Sequence, residues 1–195
     1  LSDGIATLAY ALMADYTKVH YPGNAERTAF YADLDLWING FGAVLQLTIT
    51  PLIMRGLGTL WAMVLPTLVN FILLALLGIY GPADIAIFGS VVSLLTIVQI
   101  GTRGLTYGMT KPASDALYTR MPRSARYQGK NFIETTVWRF GDVLVTTTLT
   151  ALRGLGVGIA GLGLISAALC GVAAIVARRA ATAPDLLPES GAKDD

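Results

Sequence analysis

The apolar residues of this chain fall in blocks of about twenty, and that spacing constrains the fold more than any other feature. A helix rises about 1.5 Å per residue, so such a block matches the hydrocarbon core of a bilayer, about 30 Å thick. Of the 195 residues, 14% are charged, against about 25% in a soluble domain. The sequence reads as an all-α integral membrane protein, a six-helix transmembrane bundle with membrane lipid as its surroundings.

Six segments carry that reading: Gly4–Tyr16, Leu34–Met54, Thr59–Tyr80, Ile85–Arg103, Asn131–Ala151 and Gly154–Ala177. The first is short and has no basic leader, so it reads as the end of a longer span, and the chain as a fragment. Residues 1–179 are expected to form the bundle, with a basic loop over 110–130. Residues 180–195 are expected to be a disordered tail, being rich in charge and proline. Lys and Arg concentrate on the side holding Arg55, the 110–130 loop and Arg178-Arg179. The positive-inside rule makes that side cytoplasmic, tail included, and puts the loops around Pro22, Pro82 and Arg153 outside.

The fifth segment, Asn131–Ala151, carries Glu134, Arg139 and Asp142 inside an otherwise membrane-compatible helix. With hydrocarbon beginning near Phe132, Arg139 lies about 10 Å deep, where a charge costs at least about 2.5 kcal/mol. Thr135, Arg139, Asp142, Thr146 and Thr150 follow at steps of three and four and share one face. Arg139 and Asp142 can pair as a structural link between helices. Alternatively, Arg139 is a counter-charge for an anionic solute, with Asp142 and Glu134 setting its state. The guanidinium fork suits carboxylate or phosphate.

Two further polar stripes follow the same spacing. Asp35, Asn39, Gln46 and Thr50 mark the second segment, as pore lining or as interhelical hydrogen bonds. Ser93, Thr96, Gln99, Arg103 and Tyr107 mark the fourth, with Arg103 either a wall of the path or a helix-end residue snorkelling to the interface. In the 110–130 loop, Lys111, Asp115, Arg126 and Lys130 are candidates for a gate whose ion pairs exchange; the plainer reading is a solvated, lipid-attracted loop. Asp84 is placed to cap the fourth helix. The run Gly156-Val157-Gly158-Ile159-Ala160-Gly161 spells a dinucleotide-binding pattern without the preceding strand it needs. Gly154 and Gly158, then Gly161 and Gly163, read instead as sites of close helix packing. One cysteine, Cys170, and one histidine, His20, cannot assemble a zinc centre. No cofactor, catalytic set or nucleic acid polymer is expected, and the chain is read as no enzyme.

Two linked stretches carry a family resemblance. Lys111-Pro112-Ala113-Ser114-Asp115-Ala116-Leu117-Tyr118 is followed by Arg126-Tyr127-Gln128-Gly129-Lys130-Asn131-Phe132-Ile133-Glu134 and by Trp138-Arg139-Phe140-Gly141-Asp142. Together they resemble a bacterial branch of the ATP/ADP translocase-like transporters, within the major facilitator superfamily. Asp115 stands where that pattern has Glu, Gln128-Gly129 replaces Lys-Ala, and Glu134 replaces Asp. The resemblance implies the C-terminal six-helix half of a twelve-helix, alternating-access secondary transporter in the bacterial inner membrane. Its implied partners are an N-terminal half and a small anionic solute, nucleotide-like or otherwise. The alternative from the residues alone is a non-transporting scaffold or receptor-like helix bundle.

Overall fold

The computed structural model describes residues 2–87, 90–119, 131–132, 135–136 and 138–181. Helix α1 (Ser2–His20) turns through a short connection into α2 (Asn24–Val44), which runs on through a π-turn (Leu45–Ile49) into α3 (Thr50–Gly56). Helix α4 (Trp61–Tyr80) follows, then a hairpin of β1 (Asp84–Ile87) and β2 (Ser90–Ser93). From Leu94 the chain is helical again: α5 (Leu94–Leu105), a second π-turn (Thr106–Thr110) and α6 (Lys111–Tyr118). The last two helices are α7 (Trp138–Gly154) and α8 (Ile159–Ala181).

Among the described residues, three helices are long and apolar enough to cross a membrane: Asn24–Gly56 with 33 residues, Trp61–Tyr80 with 20, and Ile159–Val176 with 18. The first is about 50 Å long at 1.5 Å per residue, so its polar opening turns, Asn24 to Asp33, extend beyond a 30 Å core.

The segment expected to be a fourth span beginning at Ile85 is corrected. Residues 84–87 and 90–93 pair as antiparallel strands in the register Asp84↔Ser93 to Ile87↔Ser90. A two-stranded hairpin leaves edge N–H and C=O groups that hydrocarbon cannot satisfy, so these residues belong at the bundle's end. The helix starts at Leu94, and its N-cap is Ser93, whose Oγ accepts the Leu95 N–H at 3.3 Å. Asp84, expected to cap, opens β1 instead. The basic loop over 110–130 is corrected too: Lys111–Tyr118 are helical, so Lys111 and Asp115 stand on α6. Arg126 and Lys130 lie outside the described residues, as do Glu134 and residues 182–195 of the expected tail.

Both π-turns have the same local cause. Pro51 and Pro112 each follow a π-turn by two residues, and proline has no N–H to donate and crowds the carbonyl four residues back. The wider turn makes room for that: Thr50 N–H reaches the Leu45 carbonyl, and Lys111 N–H reaches the Thr106 carbonyl, five residues back. Pro112 deprives the Gly108 carbonyl of its α-type donor, and the Thr50 hydroxyl donates to it at 2.7 Å. The two irregular turns are thereby tied to each other across the interior.

Glycine allows that approach. A Cβ on Gly108 would stand 2.7 Å from the Gly42 carbonyl oxygen and 2.8 Å from the Leu45 Cβ. The most extensive helix pairing among the described residues is α4 with α8, where a Cβ on Gly163 would come within 3.0 Å of the Gly78 nitrogen. Gly163 therefore packs as expected, whereas Gly154 and Gly158 meet nothing within 4 Å and Gly161 only Val157.

Helix α5 is the centre, bounded by α1, α2 and α4. Its Leu94, Leu95 and Val98 join Leu12, Met13, Leu34, Ile38, Leu74 and Leu77 in one buried core. Helix α7 packs on α1, and Arg153 Nη2 meets Asp15 Oδ2 at 2.9 Å. Burying this much leucine, at about 1.5–3 kcal/mol per side chain in water, gives way in lipid to van der Waals packing and small-residue contacts.

Candidate functional site

The polar interior is built on α5. Thr102 and Thr106 point inward but satisfy themselves: Thr102 Oγ1 donates to the Val98 carbonyl and Thr106 Oγ1 to the Thr102 carbonyl, both at 2.8 Å. Gln99 has no such solution. It is fully buried, and neither its Oε1 nor its Nε2 has a hydrogen-bond partner among the described residues. A buried amide in that state costs about 1–3 kcal/mol and calls for an explanation such as a bound group.

Arg103 sits one turn further on, half-buried. Its guanidinium carbon lies 4.8 Å from the centre of the Tyr10 ring on α1, a cation–π contact, while its Nε is buried and unpartnered among the described residues. The helix-end reading of Arg103 is corrected, because the helix continues past it to Tyr118. Nine residues after Leu94, it stands about 14 Å along the helix. Asn70, on the adjacent α4, also has an unpartnered buried polar atom among the described residues, Oδ1.

The remaining expected site residues do not gather there. Asn39 and Gln46 are exposed, as is Asp35, whereas Thr50 of the same stripe is buried. The π-turn explains the split: Leu34, Ile38, Gly42 and Leu45 face inward, and one extra residue in the turn rotates Thr50 onto that face. Arg139 is exposed on α7, together with Thr146 and Thr150. That stripe is real as a helical face but is not turned into this bundle. Asp142 lies on α7 with its side chain outside the described residues. Tyr107, at the foot of the α5 stripe, is exposed.

A cavity of about 670 Å³ opens at the end of the bundle where α1 turns into α2, between α2, the hairpin and the start of α5. Sequence reasoning missed it, because the hairpin that forms one wall was read as helix. The available signal was the pair of β-branched runs, Ile85-Ala86-Ile87 and Val91-Val92, either side of Phe88-Gly89.

Among the described residues, these features define a helical chain with three helices of membrane-crossing length and apolarity, and a polar wall on its central helix. No family model, curated protein or solved structure matches the chain.

Proposed function

We propose that this chain is a six-span half of a secondary active transporter in the bacterial inner membrane, C-terminus cytoplasmic. It moves a small anionic solute by alternating access against an N-terminal half. The observation that carries the reading is the Gln99–Arg103 turn: an unpaired amide and a cation one turn apart, in the middle of the central helix. Intramembrane charge of this kind marks a solute or ion path by default, and transporter sites sit near the midplane. The buried Nε–H of Arg103 has no acceptor among the described residues, and an unused donor on a cation favours an anion. Arg139 enters through the N-terminal half, which in this reading covers the exposed face of α7.

Full-length protein in liposomes should take up or exchange an organic or phosphate anion. Gln99→Leu and Arg103→Ala should each abolish flux while leaving the protein folded. Flux unchanged in both variants rejects the reading.

The Tyr10–Arg103 contact favours a second reading, a scaffold or receptor-like bundle in which Arg103 only joins α5 to α1. There Gln99→Leu, which replaces an unpaired amide by an apolar group of similar size, raises thermal stability and no solute flux exists to lose.

A further inference from the structure

The cavity at the α1–α2 end has a chemistry opposite to that of Arg103. Four aromatic side chains line it: Tyr16 and Tyr21 from the end of α1, and Phe30 and Trp37 from α2. Tyr21 and Phe30 stack with ring centres 4.9 Å apart, and Tyr16 is backed by His20 at 4.0 Å, so the rings are held rather than free. Two carboxylates, Asp33 on α2 and Asp84 at the start of β1, share the lining, and among the described residues none of the lining is basic. Leu34 and the valines and isoleucines of β2 and α5 complete the wall, with the hydroxyls of Ser93 and Thr96 among them. Aromatic faces attract a cation through the ring quadrupole, by about 0.5–2 kcal/mol each, and prefer one that sheds water easily. Ligand cavities run from about 300 to 1,000 Å³, so 670 Å³ holds an ammonium head with an apolar body.

We propose that this cavity binds a small organic cation with a substituted ammonium head. Asp33 and Asp84 supply the counter-charge and Trp37, Tyr16 and Tyr21 the faces. The site does not depend on the transport reading, since binding is measured without flux. A trimethylammonium head could be presented by a free solute or by a choline lipid, and the membrane used separates the two.

The test is calorimetric titration of the full chain in nanodiscs of phosphatidylglycerol with choline, benzyltrimethylammonium and the uncharged alcohol in which carbon replaces choline's nitrogen. Saturable binding of both cations is expected, with benzyltrimethylammonium tighter and the alcohol at least about tenfold weaker. Asp33→Asn, Asp84→Asn and Trp37→Leu should each weaken binding by about fivefold to thirtyfold, with melting temperature unchanged to show folding. In phosphatidylcholine nanodiscs, a loss of choline affinity assigns the site to a lipid headgroup, and unchanged affinity assigns it to a free solute. Absence of saturation by either cation, equal binding of the uncharged alcohol, or folded variants that keep full affinity overturns the proposal.

Discussion

Single atoms decide several features of this molecule. The Gly108 carbonyl loses its helical donor to Pro112 and gains one from Thr50 at 2.7 Å. Thr50→Val keeps the shape and removes the hydroxyl, leaving a buried acceptor unpaired. We expect a loss of about 1–3 kcal/mol, read from unfolding in detergent, whereas Thr48→Val, exposed on the same turn, should change stability by less than about 0.5 kcal/mol. Tyr21 makes a pH prediction. Burial raises its pKa above 10.0, with Tyr16 adding to the effect. The folded state therefore holds the phenolic proton more tightly than the unfolded one. Its contribution is complete below about pH 10 and is lost as pH rises through the higher folded value. Melting temperatures followed from pH 9 to 11, roughly the range around an ordinary tyrosine pKa, should fall less steeply in Tyr21→Phe than in the parent protein.

Among the elements, the glycine contacts show what the chain's pattern discloses and what it hides. Gly163→Ala puts a methyl 3.0 Å from the Gly78 nitrogen and should cost about 1–3 kcal/mol by forcing α4 and α8 apart. Gly154→Ala meets nothing within 4 Å and should be neutral or slightly stabilising in its helix. The uninterrupted apolar runs were legible: α4 and α8 lie within a few residues of where hydropathy puts them, since nothing competes with helix in such a run. The polar stripes were not. Extrapolating an even 3.6-residue period through Leu45–Ile49 assigns Asn39, Gln46 and Thr50 to one face, and the π-turn before Pro51 breaks that period. Residues 84–87 and 90–93 were misread for a related reason, as short apolar runs fit a buried helix and a short strand equally well. Arg103 was misjudged because the Thr, Gly and Pro content of 106–112 hides a helix that bends but does not stop.

At the scale of the molecule, the loops sort themselves by end. The cavity brings Tyr21 to the hairpin, and Arg153 reaches Asp15. The turns near Pro22 and Pro82 and the end of α7 thus share one end of the bundle. Cysteines placed at Asn24 and Arg153 should react with an impermeant maleimide from the same side of an oriented vesicle, and one at Gly56 from the other; Cys170 is buried and supplies little background. A mixed pattern would reverse the end assignment. The two π-turns have a last consequence, for how this chain tolerates changes in length. Each houses one supernumerary residue, and the pair face one another at a single level. Excising Leu47 alone would turn the five-residue step from Leu45 to Thr50 into an ordinary four-residue step and keep the Thr50 hydroxyl on the inward face, whereas excising a residue from a regular turn of α2 would swivel everything beyond it by about 100°. Single-residue deletions within Leu45–Ile49 should therefore be tolerated better than deletions in the regular turns of α2, and the π-turn marks the place where this helix can shorten by one residue and keep its faces.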